Sequence, residues 1–207
     1  MTEDPPSGAH PGWAGAVLAG GASRRMGKDK ASLAGNSGER LLDRACDLLR
    51  GLCASVMAVG TNLPLQSGIQ RVEDPPGVPP SPVRGILGAL ENSRQPHVLF
   101  LPVDLPGMTP DILESIQAEM GSHPASPVVA ISPTGPEPLI SAWPVSMAEP
   151  LRNLVQEGRL GAWEVSRELG AVQLRFEGAS EDRIHRAFKN LNTPDDWETF
   201  LLENDSR

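Results

Sequence analysis

Gly15-Ala16-Val17-Leu18-Ala19 holds no polar side chain and opens directly onto Gly20-Gly21. A half-solvated strand alternates apolar and polar residues. An unbroken apolar run instead predicts a strand covered on both faces, as in a parallel sheet between helices. The segments that follow extend this pattern. Glu39 to Leu52 puts Leu41, Leu42, Ala45, Leu48, Leu49 and Leu52 on one helical stripe, with Gly51 near its end. Ser55–Val59 and Gln70–Glu73 read as second and third strands, and the five prolines between Pro75 and Pro82 exclude regular structure there. Arg84–Asn92 resumes as a helix through Ile86, Leu87 and Leu90. The strand His97-Val98-Leu99-Phe100-Leu101 then runs into Pro102-Val103-Asp104-Leu105-Pro106.

Thr109-Pro110-Asp111 starts a helix to about Met120, with a hydroxyl at the cap and proline in the first turn. Val128–Ile131, Leu139–Trp143 and Val172–Phe176 read as strands. Met147–Glu157 and Gly161–Leu169 read as helices, and Thr193-Pro194-Asp195-Asp196 caps a last helix to about Leu202. Strands alternating with helices define the α/β class. No repeat or linker divides the chain. Met1–Gly12, with three prolines and little to bury, reads as a disordered tail before a single domain over 13–207.

The 207 residues are enough for a full core, and 18 basic against 26 acidic residues leave a net charge of −8. That balance argues against a surface built to grip nucleic acid or anionic lipid. No apolar run approaches the ~20 residues of a membrane span, and the first residues lack a secretory signal. Cys46 and Cys53 form neither a CxxC nor a disulfide framework, so the expected location is cytoplasmic.

In α/β sheets, ligands bind beyond the carboxyl ends of the strands. The segment leaving the first strand is Gly20-Gly21-Ala22-Ser23-Arg24-Arg25-Met26-Gly27-Lys28-Asp29-Lys30. Its glycines let backbone N–H groups approach an anion, and four cations within seven residues suit a polyphosphate. A basic surface loop is the plain alternative. Neither common phosphate loop fits: five residues separate Gly21 from Gly27, Lys28 is followed by Asp29, and GxGxxG is absent. The four histidines have no ligand spacing, no GxSxG occurs, and no covalent nucleophile stands out. His97, Met57, Met108, Trp143, Trp163 and Trp197 read as packing residues.

Leu18-Ala19-Gly20-Gly21-Ala22-Ser23-Arg24-Arg25-Met26-Gly27-Lys28-Asp29-Lys30-Ala31 resembles the signature LAGGxSxRMGxDKA of molybdenum cofactor guanylyltransferases. The Gly-Gly and Asp-Lys pairs point to that branch, whereas cytidylyl relatives usually carry Ala-Gly. Further stations follow in order. Asp74 matches an aspartate that recognises the nucleotide. Ser81-Pro82-Val83-Arg84-Gly85-Ile86 occupies the place of Gly-Pro-Leu-x-Gly-Ile, with Ser81 replacing the first glycine. Pro102-Val103-Asp104-Leu105-Pro106 is similar to Pro-Cys-Asp-x-Pro, whose carboxylate suits Mg²⁺. Glu137-Pro138-Leu139 matches a Gln-Pro-Leu strand, and Asn190-Leu191-Asn192-Thr193-Pro194 matches a closing segment.

The resemblance implies a three-layer α/β/α, Rossmann-like (GT-A-like) nucleotidyltransferase fold with a mostly parallel mixed sheet. The implied reaction is transfer of GMP from GTP to the terminal phosphate of molybdopterin, or its molybdenum-loaded form, with release of pyrophosphate. Arg25, Lys30 and Asp104 would be catalytic, with Mg²⁺ on Asp104. Leu18, Ala19, Gly20, Gly21, Lys30, Asp74 and Asp104 would bind the nucleotide. Arg159, Asn190 and Asn192 would lie toward the pterin. Transient contacts with molybdenum insertion proteins or apo-molybdoenzymes would follow. The competing readings are a sibling transferase using CTP or a sugar phosphate, and a non-catalytic nucleotide-binding protein that delivers cofactor. Retention of the basic loop, Asp74 and Asp104 together argues against the carrier.

Overall fold

The computed structural model describes residues 10–20, 30–35, 38–178 and 180–204. β1 (His10–Leu18), β2 (Cys53–Val59), β3 (Ile69–Val72) and β4 (His97–Pro102) run parallel. β5 (Val128–Ser132) and β4 each pair antiparallel with β6 (Gly135–Pro144), and β7 (Val172–Arg175) lies parallel to β5. Across the single sheet the order is β3-β2-β1-β4-β6-β5-β7.

Helices cover both faces, as the unalternating strands required. Along each central strand, successive side chains enter opposite layers. Val17, Leu99 and Leu101 pack with α1 (Leu41–Arg50), α3 (Pro110–Ser122) and α6 (Glu181–Ala187). Ala16, Leu18, Val98 and Phe100 pack with α2 (Pro82–Asn92), α4 (Ala148–Gln156) and α5 (Ala162–Glu168). Trp197 and Phe200 of α7 (Pro194–Asn204) dock against the first layer. This is the three-layer α/β/α arrangement, with a mostly parallel mixed sheet, that the resemblance implied. Among the described residues no helix is long and apolar enough to cross a membrane.

Several boundaries move. β1 begins at His10, where His10 pairs with Cys53, so His10–Gly12 belong to the sheet and not to a tail. Trp13 packs on His97 with ring centroids 5.1 Å apart, which gives His97 the packing role expected of it. α2 starts at Pro82 and not Arg84, because proline is preorganised for a first helical turn. β6 starts at Gly135, four residues before the expected Leu139. α6 was not foreseen: in seven residues it buries only Ile184 and Ala187, too few for a periodic signal. Cys46 and Cys53 are buried free thiols, and burial pushes both up to about 12, which makes neither a nucleophile at neutral pH.

α6 bears directly on the loop that carries Asp104. A Cβ built on Gly107 would lie 2.3 Å from the carbonyl oxygen of Arg186, so backbone meets backbone with no room for a methyl group. Gly107→Ala is expected to cost about 1–3 kcal/mol through this overpacking. Urea unfolding that gives an unchanged midpoint and slope would show that the two segments part easily.

Candidate active site

The carboxyl ends of β1, β2, β3 and β4 converge on one cleft of about 650 Å³. Backbone bonds continue the sheet into its floor. The amides of Ala19 and Gly20 both donate to the Val59 carbonyl at 3.0 and 3.1 Å, and Val103 N–H donates to the Leu18 carbonyl at 3.1 Å. Gly20 and Gly60 are packed main chain to main chain. A Cβ on Gly60 would meet the Gly20 Cα at 2.9 Å, and Gly60 has φ +74°, so glycine is required on both counts.

Leu18, Ala19, Gly20, Lys30, Asp74 and Asp104 all line this cleft, so six of the expected site residues meet in one place. Gly21 and Arg25 lie outside the described residues. The Lys30 ammonium donates to Asp104 Oδ2 and to Asn192 Oδ1, each at 2.7 Å. Lys30 and Asp104 are largely buried, with side chains 15% and 20% exposed, so the pair is held in a partly desolvated place.

Asn192 reaches this point because its segment is tied down twice. Leu191 N–H donates to the Asp104 carbonyl at 3.0 Å. Asp196 accepts from the amides of Asn192 and Thr193 at 3.0 and 2.8 Å, while the Thr193 hydroxyl accepts from Asp196 N–H at 3.1 Å. This reciprocal cap at the start of α7 is the one expected from Thr193-Pro194-Asp195-Asp196. Its bonds, first the one with the Thr193 side chain, hold the Asp196 carboxyl below its ordinary range.

Two expected residues are not brought to this group. Asn190 is half-buried and does not line the cleft. Arg159 pairs with Glu164 at 3.2 Å and Glu168 at 2.8 Å, on the exposed side of α5. Its guanidinium is directed along a helix of the chain itself.

Two other residues enter that the sequence reading did not assign. Arg84 lines the cleft and forms an ion pair with Asp74. It is the single charged residue in Pro82-Val83-Arg84-Gly85-Ile86-Leu87-Gly88-Ala89-Leu90, a signal that was available. Glu137 is the other. It lies on β6 beyond the last β4–β6 pair, Phe100↔Ser141, and is close enough to Asp104 to feel its charge. Leu139, two residues on, lines the cleft itself.

A lysine, a carboxylate and an amide thus gather at the strand carboxyl ends of a mostly parallel sheet, the place where α/β domains bind their ligands. The chain belongs to the MobA-like NTP transferase family, whose domain model matches residues 15–172. It is 32% identical to the molybdenum cofactor guanylyltransferase of Sinorhizobium fredii, over 88% of this chain and 87% of that protein. It is also 32% identical to the molybdenum cofactor guanylyltransferase of Xanthomonas euvesicatoria, over 93% of this chain and 96% of that one. Molybdopterin-guanine dinucleotide biosynthesis protein A from Archaeoglobus fulgidus shares the fold with a TM-score of 0.79. That match covers 94% of this chain and 100% of the other, at 21% identity.

Glu137 titrates unusually. Burial raises its carboxyl, the Ser132 hydroxyl at 2.9 Å partly opposes this, and the Asp104 charge raises it further. A carboxyl raised on folding stabilises the fold below its unfolded pKa of ~4.3, and that contribution is lost as pH rises through the folded value. Glu137→Gln keeps an acceptor for Ser132 and removes the titration. The melting temperature of this variant is expected to match the wild type near pH 4 and to exceed it at pH 7.5, the gap opening as pH rises through the folded value and then staying level. A difference that stays constant across this range would remove Glu137 from the charge balance of the site.

Proposed function

We propose that this chain is a molybdenum cofactor guanylyltransferase that moves GMP from GTP onto the terminal phosphate of molybdopterin or its molybdenum-loaded form. The supporting observation is the meeting of Lys30, Asp104 and Asn192 at one point of the strand-end cleft. The near full-length relationship to proteins named for this activity agrees with it. A phosphate oxygen of the acceptor forms a bond to the α-phosphorus of GTP while the bond to the β-phosphate breaks, and pyrophosphate departs on the opposite side.

A phosphate monoester is largely dianionic at neutral pH, with a second pKa near ~6, so the chain has no need of a strong base. Its task is to hold two anions in line and to compensate the charge that builds up. Lys30 supplies positive charge to the triphosphate and the leaving group, and Arg25 is assigned to the same task. The backbone of Leu18, Ala19 and Gly20 lines the nucleoside side, with Asp74 at the base.

The residues present fit Mg²⁺. Asp104 Oδ2 and Asn192 Oδ1 are hard oxygen donors that already enclose one cation, the Lys30 ammonium. Among the described residues no group of three His, Cys, Asp or Glu side chains surrounds a metal position. Mg²⁺ keeps several waters and is held by one or two protein carboxylates together with substrate phosphates. Asp104 and Asn192 would hold it, and when bound it neutralises phosphate oxygens. GTP, Mg²⁺ and a cytoplasmic location belong to this reading together.

Asp104→Ala is expected to lower turnover by about 10²–10³ while preserving the fold. The assay is pyrophosphate release from each of the four nucleoside triphosphates, with molybdopterin and Mg²⁺. An Asp104→Ala protein with most of its GTP-dependent release would refute this role. Release supported by CTP in place of GTP would move the chain to a sibling activity, and GTP binding without release would make it a carrier. Lys30→Ala should weaken GTP binding in calorimetry, and an unchanged Kd would discredit the triphosphate contact.

A further inference from the structure

Arg44, the fourth residue of α1, stands three places after Leu41 and four before Leu48, at the edge of the apolar stripe that buries the helix. From there its Nε–H donates to the Pro106 carbonyl at 3.0 Å, across 62 residues of sequence. Pro106 is buried, as are Leu105 and Met108, and the Met108 amide closes this turn by donating to the Leu105 carbonyl at 3.1 Å. Main-chain carbonyls at buried residues need a donor, and the Arg44 guanidinium supplies one. The next residue, Gly107, lies against the Arg186 carbonyl of α6, where an added Cβ would come within 2.3 Å. The Pro106–Gly107 peptide, two residues after Asp104, is therefore held by α1 and by α6.

The segment that bears Lys30 is bonded into α1. Leu33 N–H donates to the Lys30 carbonyl at 3.1 Å, Leu41 N–H to the Leu33 carbonyl at 2.9 Å, and Arg44 N–H to the Arg40 carbonyl at 3.0 Å. Ala31, Leu41 and Leu42 are buried and anchor the segment in the core. This one unit grips the loop after β4 at two points: Lys30 holds the Asp104 carboxylate, and Arg44 holds the main chain two residues on. A single contact would let the loop pivot about it, whereas two fix both distance and direction. The other partner of Arg44 is Glu39 at 3.9 Å, with side chains 48% and 39% exposed, a pair that adds little.

We propose that Arg44 is a positioning residue for the transfer, whose bond to the Pro106 carbonyl sets the Asp104 loop against the segment that bears Lys30. This deepens the guanylyltransferase reading and rests on it. Arg44 does not line the cleft, so it acts through the loop and not on a ligand. In-line transfer depends on where the charge-compensating groups stand, and a displacement of about 1 Å costs up to about 100-fold in rate. Without Arg44 the loop keeps its side-chain contact with Lys30 but loses the second point that fixes its direction. Binding of GTP is spread over the whole cleft and depends little on that direction, so the effect falls on turnover.

Pyrophosphate release from GTP with molybdopterin and Mg²⁺ tests this in wild type, Arg44→Ala, Arg44→Lys and Glu39→Gln, and in Asp104→Ala with and without Arg44→Ala. Arg44→Ala should lower kcat by about 10- to 100-fold and leave KM for GTP within about twofold. Alanine is a good helix former at an exposed helical position, so α1 persists, and a circular-dichroism melt checks this. Arg44→Lys keeps a donor on a shorter stem and should recover part of the loss. Glu39→Gln removes the other partner of Arg44 and should keep the wild-type kcat. In the Asp104→Ala background Arg44→Ala should cost little more, because its effect passes through Asp104. A loss of full size in that background would overturn the proposal, as would a wild-type kcat in Arg44→Ala. So would a raised KM with unchanged kcat, or a Glu39→Gln loss as large as that of Arg44→Ala. Each of these results leaves the guanylyltransferase reading standing, whereas a wild type that releases no pyrophosphate from GTP removes that reading and this proposal together.

Discussion

The Lys30 ammonium is the point on which the site depends. It is bonded to an acceptor 74 residues away and to another 162 residues away, and so ties its own segment, the central strand tip and the closing segment together. Bonds to a charged group are stronger than neutral ones, and those made in a partly desolvated place are less weakened by solvent. The neighbouring backbone serves the same end. The Asp104 carbonyl receives the Leu191 amide, Gly107 lies against the end of α6, and the Arg44 guanidinium donates to the Pro106 carbonyl at 3.0 Å. The strand tip that carries Asp104 is therefore clamped from three sides. These contacts fix the position of the Asp104 carboxylate without any ligand.

The mixed topology of the sheet explains what surrounds that tip. In an all-parallel sheet every neighbour at this edge would be the end of a strand. β6 runs the other way, so its first half leads toward this edge: Leu139 lines the cleft and Glu137 feels the charge of Asp104. The antiparallel strand thereby adds a half-buried carboxyl to an edge otherwise made of loops that follow strands. The opposite end of the cleft is built differently. There α2 lies over β1 through Gly85 and presents Arg84, while β3 releases Asp74. One cleft thus has two chemically different ends, each supplied by its own pair of strands.

The layering was legible from the unalternating runs Gly15–Ala19 and His97–Leu101, because burial on both faces leaves its mark on every residue of a strand. The site was legible where its residues sit next to glycines and prolines at strand ends, as Gly20, Asp74 and Asp104 do. Other features leave no local mark. An ion pair such as Arg84 with Asp74 joins residues on different elements, and only the packing of α2 brings them together. Glu137 belongs to the site through strand register, which a single sequence does not encode position by position. Arg159, which the resemblance turns toward the pterin, is paired within the chain itself. A basic residue in a loop looks available for a phosphate, but Glu164 and Glu168 follow within reach on the next helix and engage it. Short α6 fell below detection for lack of an apolar stripe, although it buttresses the Asp104 loop.

Charge in the cleft is arranged in pairs, and this shapes what can bind. Lys30 and Arg84, the described cations of its wall, each face a carboxylate. A bare cationic groove would hold any polyanion in a chain of either sign. Paired cations instead offer an exchange, in which a ligand competes with Asp104 or Asp74 for the same donors. An incoming polyphosphate leaves the displaced carboxylate in a partly desolvated place, which is costly unless the ligand compensates it. Under the proposed function, a cation carried with the phosphates would supply that compensation at Asp104. In a protein of net charge −8, such paired cations favour a ligand that brings its own compensating charge over a bare polyanion.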